Sequence, residues 1–252
     1  MILLFSLIVM RMTGAVAFNS IWSRNGFPPV VRGMFIFMLS AMLYVWTGGT
    51  MVQEPENRIE YAVMLLKELA LGASLGFGME LTFFIFRSAT SIMDFSMGLN
   101  MAQIYDPDMG SQSSITSALY LDFIMLIFFT SDAHLTFFRI LFGTAEHIPF
   151  GSVQITRELA SFMLKTFCRS AVLGLQLAFP VMGIELLTEI ALGILMRVIP
   201  QINMFSINFQ AKIIIGMLML LFLFHPMMDV AETIFNEMPE IMENIIMLMG
   251  PG

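Results

Sequence analysis

Of 252 residues, 58% are hydrophobic and only 12% charged, and the mean hydropathy is +0.83; a soluble domain carries about 25% charged residues, so the chain belongs with membrane proteins. A net charge of −7 argues against nucleic acid as a partner, because a phosphate-binding chain needs a cationic footprint. The single cysteine, Cys168, excludes an internal disulfide and a cysteine-only metal site, and with His134, His147 and His225 far apart and neither H-E-x-x-H nor G-x-S-x-G present, no catalytic, cofactor or metal site is expected.

Residues 1–23 are apolar except for Arg11. A cleaved leader is the competing reading, since Ala15-Val16-Ala17 mimics a small-residue cleavage site, but a leader carries its positive charge ahead of the apolar core and Arg11 follows it. Residues 33–53 are free of charge and long enough to cross about 30 Å of hydrocarbon. A hydrophilic turn at 54–60, broken by Pro55, leads into an apolar helix over 61–87. That helix carries Gly72-Ala73-Ser74-Leu75-Gly76, a G-x-x-x-G that admits another backbone closely, either within the chain or from a neighbouring subunit. Glu80 lies inside the same apolar run and needs a partner.

Residues 88–117 change character, mixing Asp94, Asn100, Gln103, Asp106, Asp108 and Gln112 with Met97, Met101, Ile104 and Tyr105. Irregular backbone this polar cannot face lipid, so the segment must lie at the surface, be buried in protein, or line a watery cavity. The Asp106-Pro107 step breaks any helix near Tyr105. The apolar run 118–142 is interrupted by Asp122, Asp132, His134 and Arg139, and a turn is expected at 143–151. Arg157, Ser161, Lys165 and Arg169 recur every four residues as the basic face of an amphipathic helix, suited to anionic headgroups or acidic partner surfaces.

A further helix over 170–196 contains Pro180 and sets Glu185 and Glu189 on one face, where like charges repel unless a cation intervenes. Residues 186–216 read as a helical hairpin. Pro200 ends the first helix by Ile199, Arg197 suits the negative end of its dipole, and a polar elbow from Pro200 to Phe205 precedes a second apolar run after Lys212. Residues 213–228 close the hydrophobic part. The tail from about 229 to 252 is acidic and amphipathic, which points to docking on protein. Counting basic residues in the loops gives no clean orientation. Moreover, most apolar segments hold an ionisable residue or a proline, and a central charge facing lipid costs on the order of 2.5–3.5 kcal/mol. The expectation is therefore that these acids and bases find counterparts on neighbouring polypeptides.

The order E-x-x-x-G-x-x-x-R-x-x-P-Q-x-N-x-F followed by K-x-x-x-G, here Glu189, Gly193, Arg197, Pro200, Gln201, Asn203, Phe205, Lys212 and Gly216, resembles the signature region of the FliR family of flagellar biosynthetic proteins and its relatives in type III secretion. Arg11, Pro28, Pro29, Arg32, Glu68, Gly72, Gly76, Gly98-Leu99 and Asp106-Pro107 also match that family's pattern, although members usually have a longer apolar lead before the first arginine. The resemblance implies one all-α membrane domain over 1–252, whose helical hairpins assemble with FliP-type and FliQ-type partners into a right-handed helical export gate of the bacterial cytoplasmic membrane, at the flagellar basal body. It further implies contact with an FlhB-type export switch protein, with unfolded export substrates and with membrane lipid. By position, Met101, Ile104 and Tyr105 would form the pore plug. Glu189, Arg197, Pro200, Gln201, Asn203, Phe205 and Lys212 would fix the hairpin elbow and inter-subunit packing, and Gly72 and Gly76 would serve helix packing. The match in 186–216 is closer to the flagellar than to the injection branch. The alternative is a small-molecule permease, motivated by Glu80, Asp122 and Glu189 within apolar helices, which predicts an internal repeat that the sequence does not display.

Overall fold

The computed structural model describes residues 2–19, 21, 28–48, 55, 57–99, 115–199 and 204–250, apart from the side chains of 115 and 204–206. Among them lie seven helices and no strand: α1 (Ile2–Ala17), α2 (Pro29–Trp46), α3 (Arg58–Ser96), α4 (Ile115–Thr130), α5 (Ala133–His147), α6 (Arg157–Val198) and α7 (Met204–Met249). An apolar chain in lipid has no water to satisfy its amides, and a helix satisfies them within one segment. α2, α3, α6 and α7 are each long and apolar enough to cross a membrane, and α4 with α5 make a fifth candidate bent by 63°. This is a multi-pass membrane protein.

The helix ends follow local chemistry. α2 starts with Pro29 at its first position, behind extended Pro28 (φ −55°, ψ 141°), where a missing N–H costs nothing. Gly48 beyond its end and Gly98 beyond the end of α3 have positive φ (63° and 77°), the left-handed stop that glycine takes without a Cβ penalty. At the second of these, Leu99 N–H reaches Asp94 O at 3.0 Å.

The apolar run 118–142 divides at Asp132, one of the interruptions expected in it, whose φ is +57°, a conformation that aspartate tolerates better than most residues. Conversely, the basic stretch at 157–169 and the segment 170–196 are one continuous helix of 42 residues, and the expected tail continues α7 to a length of 46 residues. Pro180, Pro226 and Pro239 each forfeit one hydrogen bond without ending these helices. At 1.5 Å per residue α6 and α7 run about 60–70 Å, roughly twice the hydrocarbon thickness.

The chain forms two compact units, and α3, α6 and α7 each contribute to both. The first comprises Met1–Thr82, Asp132–Phe167 and Phe235–Gly252. Its centre is α1, with Leu7, Ile8, Met12 and Ala15 fully buried. Phe5 meets α2 through edge contacts with Phe37 and Tyr44 at 5.7 and 6.0 Å, and Phe35 of α2 meets Phe138 of α5 at 6.1 Å. α1 crosses α3 at backbone contact: a Cβ on Gly72 would overlap Arg11 O, one on Gly14 would lie 2.6 Å from Ala73 N, and one on Gly76 would lie 2.7 Å from Ala15 O. The end of α7 buries Met238, Met242, Ile245 and Met249 here, so the apolar face of the acidic tail packs on this chain's own helices.

The second unit comprises Phe83–Ser131 and Cys168–Ile234. Phe83 and Phe128 meet edge-on at 5.4 Å and Phe123 meets Phe224 at 4.9 Å. The Tyr120 hydroxyl donates to Leu220 O at 2.5 Å. Along its most apolar stretch α3 is 67% buried, whereas α2, α6 and α7 are 11–17% buried along theirs and leave most apolar side chains exposed there.

Gly72→Ala tests the α1–α3 crossing. The added methyl has no space, so the two helices must separate, and the substitution is expected to cost about 1–3 kcal/mol as a lowered unfolding midpoint in detergent. Gly33→Ala on exposed α2, where nothing lies within 4 Å of the new Cβ, is the control and should be neutral or stabilising by up to about 1 kcal/mol.

Candidate functional site

Two polar clusters are set into these apolar units. In the first unit, Arg11 and Glu68 form an ion pair (Nε to Oε2, 2.6 Å) with both side chains 0% exposed. The remaining guanidinium nitrogens donate to Thr144 Oγ1 and to Ile148 O, each at 3.1 Å. Thr144 in turn donates to Leu141 O at 2.6 Å, which presents its oxygen lone pair to the arginine. The Phe150 ring lies 4.2 Å from the guanidinium carbon, within cation–π range. Glu68 spends its other oxygen on the Gly151 amide at 2.9 Å. The planar fork of arginine suits this many-sided arrangement in a way that a lysine ammonium does not. Between them the two residues tie α1, α3, α5 and the turn after α5.

In the second unit, α6 and α7 run back along each other from the elbow. Lys212 donates to Glu189, and one turn further from the elbow Gly216 faces Glu185, whose Oε1 would lie 3.0 Å from a Cβ there, with the Met97 thioether packed on the same glycine. Both oxygens of Glu185 and the Oδ1 of Asn208 are buried without a hydrogen-bond partner in the described chain. The seam thus holds more acceptors than donors, with Lys212 its cation. At the base of the segment between α3 and α4, the Ser117 hydroxyl donates to Asp94 Oδ2 at 2.6 Å, buried.

The expectation that the acids and bases find their counterparts on other polypeptides is corrected here. Arg11 with Glu68 and Lys212 with Glu189 pair within the chain, and Glu80, Arg87 and Asp122 also engage other groups. Of the two glutamates one turn apart on α6, Glu189 has its cation in Lys212, whereas both oxygens of Glu185 lack a hydrogen-bond partner in the described chain. Of the residues expected at the elbow, Glu189, Lys212 and Arg197 are described, and Arg197 stands exposed in the last turn of α6. Pro200, Gln201 and Asn203 lie outside the described residues, as do the side chain of Phe205 and all of Met101, Ile104 and Tyr105. Gly72 and Gly76 meet α1 of the same chain. Sequence reasoning did not find Thr144, Phe150 or Asn208, because no spacing marks a residue that completes a cluster from a distant element.

The outer end of α6 is solvated or lipid-facing nearly all round in the isolated chain. Ten of the eleven residues from 189 to 199 are exposed, Ile194 by 61% and Val198 by 71%, and nothing lies within 4 Å of a Cβ at Gly193. In a membrane chain such a surface is covered by lipid or by another helix.

The model of the family described as "Bacterial export proteins, family 1" matches residues 2–238. This chain belongs to that family. Family members similar to it include the flagellar biosynthetic protein FliR of Bacillus subtilis, 26% identical over 98% of this chain and 95% of the relative. FliR of Escherichia coli is 26% identical over 73% and 70%, respectively. The Yop proteins translocation protein T of Yersinia pestis is 28% identical over 77% of this chain and 75% of its own. The resemblance to the FliR family, with its type III secretion relatives, thus extends over nearly the whole export-family chain.

The hairpin seam yields a charge-exchange prediction. Lys212→Glu leaves three acidic groups on one seam and should lower the recovered folded protein several-fold. Combining it with Glu189→Lys restores one opposite pair and should recover most of the loss, read as monodisperse protein in detergent. Because Glu189 is half exposed, the pair itself contributes no more than about 1 kcal/mol, and the larger effect comes from like-charge repulsion.

Proposed function

We propose that this chain is a structural subunit of a bacterial protein-export gate of the flagellar type, in the cytoplasmic membrane at the flagellar basal body, through which unfolded flagellar proteins leave the cell. The observation that carries the reading is the outer end of α6, apolar and exposed nearly all round within a chain of the export family. Lipid covers such a surface, but it leaves Gly193 unused and Glu185 and Asn208 without donors. Neighbouring helices supply both a close backbone and hydrogen-bonding groups. FliP-type and FliQ-type subunits are the partners we assign to this face, building a right-handed helical assembly of hairpins, with an FlhB-type switch protein beside it. Glu189, Arg197, Pro200, Gln201, Asn203, Phe205 and Lys212 hold the elbow in that packing.

Met101, Ile104 and Tyr105 are assigned to the plug of the pore. Apolar side chains seal against ions by excluding water and offer a passing polypeptide no strong binding. The Ser117–Asp94 hydrogen bond supports the assignment, because it joins the helix ends from which the segment departs. The permease reading is not favoured, since Glu80, Asp122 and Glu189, which motivated it, are engaged within the chain.

Co-expression with FliP-type and FliQ-type subunits tests the proposal in one preparation. A joint complex is expected in detergent, and gates carrying Met101→Gly with Ile104→Gly should leak ions above the unsubstituted level. Recovery of the chain without either partner contradicts the subunit reading; an intact complex with unchanged conductance contradicts the plug assignment alone.

A further inference from the structure

A groove of about 270 Å³ opens on the first unit, between α2 and α5, lined by Met42, Trp46, Arg139, Phe142, Gly143 and Glu146. It lies beyond the Phe35–Phe138 ring contact, two to three turns along α2 and up to about two turns along α5. The α2 wall is exposed, Met42 by 59% and Trp46 by 68%. Trp46 ends the helix that crosses the membrane without any acidic or basic residue after Arg32, and tryptophan at the end of an apolar span marks the boundary between hydrocarbon and water.

The α5 wall carries two charges of opposite sign. Arg139 and Glu146 are seven residues, two turns, apart on the same face, about 10 Å along the helix. Both are exposed, and neither makes an ion pair with a described residue. Between them Gly143 has nothing within 4 Å of a Cβ, so the floor separating the two charges is open. An unmatched arginine on an apolar helix at the membrane boundary extends toward anionic headgroup oxygens. A glutamate two turns further along the helix, beside Trp46 at the boundary, is repelled by those oxygens unless a cation is present with them.

We propose that this groove binds the headgroup of an aminophospholipid of the phosphatidylethanolamine class, with the phosphate on Arg139, the ammonium on Glu146, and an acyl chain along Met42, Trp46 and Phe142. Charge complementarity selects the occupant. A primary ammonium donates hydrogen bonds to the carboxylate, whereas a quaternary choline headgroup has the charge but no N–H. A glycerol headgroup leaves the carboxylate facing net negative charge. The inference stands on unit-one residues only and does not depend on the export-gate reading.

Native mass spectrometry of the full chain, purified from membranes in mild detergent and titrated with phosphatidylethanolamine, phosphatidylcholine or phosphatidylglycerol of matched acyl chains, tests it. Phosphatidylethanolamine should be retained about tenfold more tightly than either of the others, the factor expected of charge-assisted hydrogen bonds gained by one headgroup alone. Glu146→Gln should erase that preference while leaving phosphatidylglycerol bound, and Arg139→Gln should weaken all three. Gly143→Leu fills a space that no side chain uses, so it should abolish retention with helicity and elution volume unchanged. Equal retention of the three lipids by the unsubstituted chain, or retention of phosphatidylethanolamine by folded Gly143→Leu, overturns the proposal.

Discussion

The arrangement of the first unit follows from a single constraint: an arginine and a glutamate placed where no water reaches them. Desolvating two such charges costs several kcal/mol each, and their attraction offsets this only when every remaining donor and acceptor is occupied. Each nitrogen of Arg11 and each oxygen of Glu68 has a partner, through their mutual bond, Thr144, the carbonyl of Ile148 and the amide of Gly151, with the Phe150 ring against the guanidinium. The 2.6 Å pair joins side chains on α1 and α3. Gly14, Gly72 and Gly76 let the backbones of the same two helices touch. The charges and the glycines thus fasten one crossing in two ways.

The second unit handles charge differently. Lys212 and Glu189 are partly exposed, Glu185 and Asn208 keep unfilled acceptors, and the helix beyond them is bare. A seam of this kind is incomplete in a way that the Arg11–Glu68 cluster is not. The contrast separates a part of the chain whose buried charges are paired from a part that keeps buried acceptors unfilled and apolar surface exposed. The lengths of α6 and α7, well beyond the hydrocarbon thickness, fit a chain for which the bilayer is only one of its surroundings.

Much of this was legible residue by residue, and little of it as pairs. Arg11, Glu68, Gly72 and Gly76 each stood out, yet the partners lie 57 residues apart, and no periodicity within a helix reports a contact across that distance. The stop at Pro200 was readable because proline and the helix dipole act locally, and α6 ends at Val198. Pro180 was expected inside a helix and lies inside α6. Asp132 read as an interruption of an apolar run, but its left-handed φ turns the chain there, a feature set by how the flanking helices pack. The idea that scattered charges must seek other polypeptides failed where long-range pairing within the chain supplied the counterion first.

A double-mutant cycle on Arg11 and Glu68, followed by reversible unfolding of the full chain in detergent, addresses the central claim most directly. With Arg11→Met and Glu68→Leu, each single change strands a buried charge and is predicted to cost about 3–5 kcal/mol. The double substitution is predicted to cost less than the two together by at least about 2 kcal/mol. Additive losses, or single changes with no measurable effect, would contradict an account that makes this pair the fastening of the fold.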